Sequence, residues 1–411
     1  MKKFFVFFMA ILLIILFILS RHNTNNQSIE NLAYVIAIGI DSGKNNLLKL
    51  TLQIATSSSE NSNSGGDSSQ SSNSTITSVE CSSINSGINL INSYISKKIN
   101  LSHCKIVVFS EDFATKGIGN EVSTLVNNVQ IRPDCSIAIC KSSAENFLDM
   151  NKPVLVNLTA RYYEVVVTSG DYTGFSTNVT LSDFYKSLQD SYTEPFAILA
   201  GINLPDSISI PAYNNYVDID TSYTPDEVSI TNENNMQICG LSVFKDDVFI
   251  GEMTSMDSIC HLIISNKLQN AIISIPDPYD ISGIINLSIT QLEKPDISVK
   301  LVNGSPYICC NLKINANILS LPSDSDYATY EKLQTITDYA NSYFESHITN
   351  YLYKTAKDFK CDVVGFGKYI LPEFSTVQEW NNFNWQNKYM NSFFKTNIDI
   401  TIVNSSLIQR N

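Results

Sequence analysis

Sixteen residues from Phe4 to Leu19 carry no polar side chain, and this run constrains everything that follows it. As a helix rising about 1.5 Å per residue it is about 24 Å long, a little short of a hydrocarbon core roughly 30 Å thick. Lys2 and Lys3 before it and Arg21 after it cover the shortfall by snorkelling. Each Leu, Ile, Phe or Val adds about −0.3 to −0.6 kcal/mol, so the run favours the bilayer. A cleavable secretory signal needs small residues next, and Ser20-Arg21-His22-Asn23 fits that need poorly. A lipoprotein signal needs a cysteine there, yet the first cysteine is Cys81. The run reads as an uncleaved signal anchor through Phe4, Leu12 and Leu19. Both lysines then lie inside the cell, and everything after Arg21 lies outside.

With 411 residues the chain exceeds what one core supports. We expect an anchor at 1–22, an α/β domain at 23–205, a small α+β domain at 206–283 and an α+β domain at 284–411. The fold class is therefore a mixed α/β, α+β multidomain ectodomain behind a membrane-anchoring helix. The net charge is −13, and without Lys2 and Lys3 the outer part is more acidic still. A nucleic-acid binder needs a positive footprint, which is missing. An acidic body is also repelled by anionic headgroups, so attachment falls to the anchor.

Strand patterns open the chain. Leu32–Ile40 is an apolar, β-branched run, and Leu48, Leu50, Leu52 and Ile54 alternate with polar residues, which predicts a hairpin. Residues 57–74 are wholly Ser, Asn, Gly, Asp, Gln and Glu, and read as a disordered loop. A helix capped by Ser83, a strand at Cys104–Phe109, a helix after Gly117 and Gly119, a strand at Cys135–Cys140 and a helix from Ala144 give an α/β alternation. Leu181–Leu188 is read as its last helix. Pro195, Pro205 and Pro211 punctuate a polar stretch to about Asn235, which reads as the passage between domains. A hairpin follows at Gly240–Phe244 and Val248–Gly251, and then a helix at Ser255–Lys267 with His261 turned inward. Further on come strands around Ile285–Ile289, Ile297–Leu301 and Ile308–Ile318, with Asn303-Gly304 as a hairpin turn. A helical period runs from Tyr327 to Phe359, Trp380 and Trp385 fall in an aromatic loop, and Asn397–Ile402 supplies a last strand.

Chemistry-bearing patterns are scarce. The sequence holds no G-x-S-x-G, no H-E-x-x-H, no Walker loop and no kinase set. Gly117-x-Gly119 lacks the third glycine of a dinucleotide fingerprint. Nine cysteines include no C-x-x-C. His103-Cys104 and Cys260-His261 are adjacent pairs, which on a strand point to opposite faces. Cys135 and Cys140 flank one apolar run and bridge only if the chain folds back, which leaves disulfides open. We therefore expect no catalytic residue, no metal and no cofactor. A pair of the forty carboxylates meeting in three dimensions as a glycosidase dyad is the enzymatic alternative.

Four stretches carry a family likeness. They are Asn31–Asp41, His103–Asp112 followed by Gly117, the mid-chain hairpin with Gly240, Phe244 and Gly251, and Asp362-Val-Val-Gly365-Phe366-Gly367 followed by Trp380 and Trp385. Together they resemble the C subunit of nutrient germinant receptors of spore-forming Firmicutes, the Ger(x)C or GerAC family. The resemblance covers about residues 30 to 405 and implies a non-enzymatic subunit of three mixed α/β domains. Its implied place is the outer face of the spore inner membrane, beside an integral-membrane A subunit and a permease-like B subunit. It supplies no ligand-contact residue. Asp41, Gly117, Gly240, Phe244, Gly251, Asp362, Gly365, Phe366, Gly367 and Trp385 are its motif positions, read as structural. Family members carry a lipoprotein cysteine where Ser20-Arg21-His22 stands here, so the apolar run takes over the tethering. The rival functions are an anchored, glycosidase-like cell-envelope hydrolase and a solute-binding protein.

Overall fold

The computed structural model describes residues 3–5, 7–9, 11–12, 31–56, 74–153, 155–156, 158–203, 222–227, 234–280, 283–322 and 329–403. Phe4 and Leu12 are described, both helical and exposed, whereas Leu19 and most of the expected anchor lie outside the described residues. Among the described residues no helix is long and apolar enough to cross a membrane. The loop expected at 57–74 also lies outside them, except for its last residue. Ser74 opens a strand.

Nine strands form the first sheet. Eight run in the order β3-β2-β1-β5-β6-β7-β8-β9, and β4 (Lys98–Asn100) pairs with the start of β1. Its parallel centre is β1 (Leu32–Ser42), β5 (Ile106–Ser110), β6 (Ser136–Cys140) and β7 (Phe196–Ile202). Strands covered on both faces need no alternation, and β5 and β6 are buried at every residue. Antiparallel neighbours close the sheet at both edges. On one side β2 (Leu48–Ala55) and β3 (Ser74–Cys81) follow β1; on the other, β8 (Met236–Lys245) and β9 (Val248–Met253) follow β7.

β7 corrects the sequence reading, which treats the stretch from Pro195 to about Asn235 as a passage. Phe196–Ile202 is a continuous apolar run of the kind a doubly covered strand needs, and Pro195 precedes the first residue that must donate. The hairpin after it adds to this sheet through β7–β8 pairing.

The second sheet is organised around β13 (Ser305–Ser320), sixteen residues long. One edge of β13 pairs antiparallel with β12 (Asp296–Val302) near its start and with β11 (Ile284–Gln291) near its end. β10 (Ala271–Pro276) extends the sheet beyond β11. Along its other edge β13 pairs in parallel with β14 (Phe393–Val403). Strict alternation buries Ile308, Cys310, Leu312, Ile314, Ala316 and Ile318. Against that face lies the helix Tyr330–Tyr353, which turns Ile336, Ala340, Phe344, Ile348 and Leu352 inward at helical spacing. It ends in a π-helical turn, Lys354–Phe359, closed by left-handed Lys360. Trp380 and Trp385 do not sit in a loop: each lies on a short helix, Val377–Phe383 and Trp385–Tyr389. The architecture is mixed α and β around two sheets with two hydrophobic cores.

Candidate functional site

The β8–β9 hairpin belongs to both cores. Phe244 and Phe249 pack into the first, while Leu241, Val243 and Met253 pack into the second. Its backbone is shaped to be approached closely. Gly240 has φ +81°, and a Cβ there would run into the carbonyl oxygen of Met253, so only glycine fits. Phe244 is fully buried, edge-on to Phe184 at 4.9 Å and to Phe249 at 5.9 Å. At Gly251 a Cβ would press on the Phe359 ring at 2.6 Å.

Ile118, Gly119 and Glu194 grip the hairpin's turn, Asp246-Asp247, and the second half of the chain holds Glu194 through Asp362. From the first half, the backbone N–H of Ile118 donates to the carbonyl of Asp247 (3.0 Å) and that of Gly119 to its carboxylate (3.1 Å). Gly117 has φ +97°, and a Cβ there would stand 2.9 Å from the same carboxylate. The glycine pair that looks like half a dinucleotide fingerprint therefore makes room for an aspartate. On the opposite side, Glu194 accepts the Asp246 N–H at 2.8 Å, and its own N–H donates to the carbonyl of Asp362 at 2.8 Å. Thr193 Oγ1 donates to that carbonyl as well, at 3.1 Å.

Asp362 is the hub of the C-terminal motif. Its Oδ1 accepts the Gly365 N–H at 2.8 Å, and its Oδ2 accepts the Gly367 N–H at 3.0 Å and the Trp385 indole N–H at 2.8 Å. Gly367 lies against that indole, and Phe366 stacks on Tyr389 with centroids 6.2 Å apart. Burial pushes the Asp362 carboxyl up to about 6, against the pull of its N–H donors. Burial likewise lifts Glu194 to about 7; the charges of Asp246 and Asp362 add to this, and the Asp246 N–H and Lys245 oppose it.

The sequence motifs therefore converge. Gly117, Gly240, Phe244, Gly251, Asp362, Gly365, Phe366, Gly367 and Trp385 lie at or around the joint between the two sheets. Asp41 stands apart at the end of β1, where its carboxylate accepts the N–H groups of Ala144 (2.7 Å) and Glu145 (3.0 Å). Chemically the joint holds segments together. Asp362 is 0% exposed and Glu194 7%, with their oxygens turned to donors. Among the described residues no group of three or more His, Cys, Asp and Glu is arranged to hold a metal ion. His261 is buried, with Nδ1 2.8 Å from the Tyr351 hydroxyl and its ring edge-on to Phe196, and burial drives it down to about 3.

Sequence reasoning missed Glu194 and a second polar group. At the carboxyl ends of β5 and β6, Lys141 pairs with Asp226 at 2.7 Å and with Glu252 of β9 at 3.1 Å. Burial and the nearby Glu252 raise Glu111 in the same group. The available signal was position: polar residues placed immediately after buried parallel strands face the crevice at the sheet's carboxyl edge.

Comparison with known proteins gives consistent matches. The family profile described as "Spore germination protein N-terminal domain" matches residues 25–202. That described as "Spore germination B3/ GerAC like, C-terminal" matches residues 239–406. Spore germination protein KC of Bacillus subtilis (strain 168) is 22% identical, over 93% of this chain and 91% of that protein. Putative spore germination protein YfkR of the same organism is 21% identical, over 95% and 94%. Among solved structures, the crystal structure of the GerBC protein superposes with a TM-score of 0.53 at 13% identity. That superposition covers 89% of this chain and 97% of the other, and so reports on the fold.

Proposed function

Because this chain belongs to the GerAC family of spore germination proteins, we propose that it is the C subunit of a nutrient germinant receptor. In this reading it performs no chemistry of its own. It acts by contact with an integral-membrane A subunit and a permease-like B subunit, on the outer face of the spore inner membrane. The run from Phe4 to Leu19 holds it there.

The observation that supports this reading best is the character of the joint. Nine of the ten motif positions lie at or around a hydrogen-bonded joint between two sheets, which is what a rigid scaffold requires. The hydrolase alternative fares worse on the same geometry. The two carboxylates of the joint, Glu194 and Asp362, are enclosed, and three N–H donors occupy Asp362, so no glycosidic oxygen reaches it.

Deletion of the gene in a sporulating strain tests the proposal. Spores should lose the response to one nutrient while keeping the others, and affinity purification of the tagged chain from spore membranes should bring down two multi-pass proteins. Normal germination with every nutrient tried, together with purification of the chain alone, would sink it.

A further inference from the structure

All nine cysteines are free thiols, and eight of them are buried. The pair that flanks β6 does not meet: Cys140 stands at the far end of the strand, against Ser142. Cys135 has a different neighbour. Its sulfur is 3.7 Å from that of Cys104, and both residues are 2% exposed. Among the described residues no other two sulfurs are in such contact.

The backbone explains the meeting. Cys104 leads into β5 and Cys135 into β6, and between them the Ser136 N–H donates to the carbonyl of Lys105 at 2.9 Å. The register pairs Ile106 with Ser136, so Cys135 is level with Lys105 and Cys104 lies one residue before it, diagonally across neighbouring parallel chains. Chains about 4.8 Å apart with a one-residue offset of about 3.3 Å put the two Cα atoms roughly 5.8 Å apart, inside the roughly 4.4–6.8 Å that a disulfide spans. The other polar contact of each sulfur is a backbone carbonyl, Cys104 with that of Ile106 at 3.5 Å and Cys135 with that of Ser136 at 3.8 Å. The sulfurs stand 3.7 Å apart, so they have roughly 1.7 Å to close to reach the roughly 2.0 Å of a disulfide.

We propose that Cys104 and Cys135 are a paired modification site, closing to a disulfide by exchange with a low-molecular-weight disulfide such as oxidised glutathione. One cysteine thiolate attacks the oxidant's S–S bond, which breaks and releases one glutathione thiolate. The second cysteine thiolate then attacks the protein sulfur of the mixed disulfide, forms the intramolecular bond and expels the second glutathione. The two cysteines lose two electrons, the oxidant gains them, and the two cysteine protons end on the two released thiols. The Cys104 contact and burial hold the Cys135 thiol well above its usual range, so exchange is fast while the strands are open and slow once they have closed. The cross-link shuts a loop that carries β5, Glu111 and the Gly117–Gly119 clamp. It is independent of the receptor reading above.

The test uses the full chain in detergent, in two arms. One is held folded with oxidised glutathione; the other is unfolded in urea and refolded with it. Both are then denatured, alkylated and weighed. The untreated chain should take nine labels and the refolded chain seven, with a peptide containing Cys104 linked to one containing Cys135. Dithiothreitol should restore nine labels. Cys104→Ser and Cys135→Ser, or the alanine variants where serine does not fold, should take eight labels with or without oxidant. Nine labels in both arms, a lasting glutathione adduct, or a link through any other cysteine would each overturn the assignment.

Discussion

Replacing Glu194 by glutamine should stabilise the chain above neutral pH. Folding raises the carboxyl from 4.5 to about 7, chiefly by burial. Between those values the folded chain holds a proton that the unfolded chain has already released, so stability falls as pH rises and levels off above about 7. At about 1.4 kcal/mol per pH unit, the full loss is about 3 kcal/mol. Glutamine keeps an oxygen for the Asp246 N–H, the hydrogen bond that pins the hairpin turn. The protonated carboxyl and the amide are both neutral acceptors of that bond, so glutamine stands in for the protonated parent. The variant should therefore match the parent near pH 4.5 and exceed it by about 3 kcal/mol at pH 8. Urea unfolding of both proteins at a series of pH values reads this difference directly. Asp362 titrates in both, so its contribution largely cancels in the comparison. Parallel stability curves, or a variant weaker than the parent at pH 8, would show that Glu194 is not a carboxylate held against its preference.

Other substitutions at the joint carry distinct expectations. Asp362→Ala orphans three buried N–H donors and should cost about 3–5 kcal/mol, measured by urea unfolding. Phe366→Ala and Trp385→Ala each empty a fully packed position and should also cost about 3–5 kcal/mol. Unchanged melting temperatures for both would mean the rings do no packing. Gly240→Ala meets a left-handed backbone and the Met253 carbonyl together, and should cost about 2 kcal/mol or more by thermal melting.

How much of this was readable in advance depended on the kind of signal. Alternation along Ile308–Ile318 and the helical period of Ile336, Ala340, Phe344 and Ile348 are one-dimensional, and both appear in the structure as read. Asn303-Gly304 also forms its hairpin turn, with both residues at positive φ. Strands of the parallel centre announce themselves only as short apolar runs, which is why Phe196–Ile202 passed for a passage beside its prolines. Ser74–Cys81 gave still less, since an edge strand of threonine and serine has no apolar stripe to show. The motif residues were named from sequence, but their convergence was not visible there. Asp247 and Gly117 are far apart in the chain, and only the fold brings a hairpin turn to a helix start. Glu194 had no local signature whatever, because its altered acidity comes from what surrounds it.

The parallel match of β14 to β13 bears on how the protein is made. On a ribosome the long spine of the second sheet leaves the exit tunnel well before its partner strand is synthesised. Until Phe393–Val403 arrives, one whole flank of that spine is a bare template on which a neighbouring nascent chain can add a strand. Translation that stalls inside the helix Tyr330–Tyr353 would thus yield a product prone to aggregate. The eleven codons of β14 decide whether the strands made before them are protected.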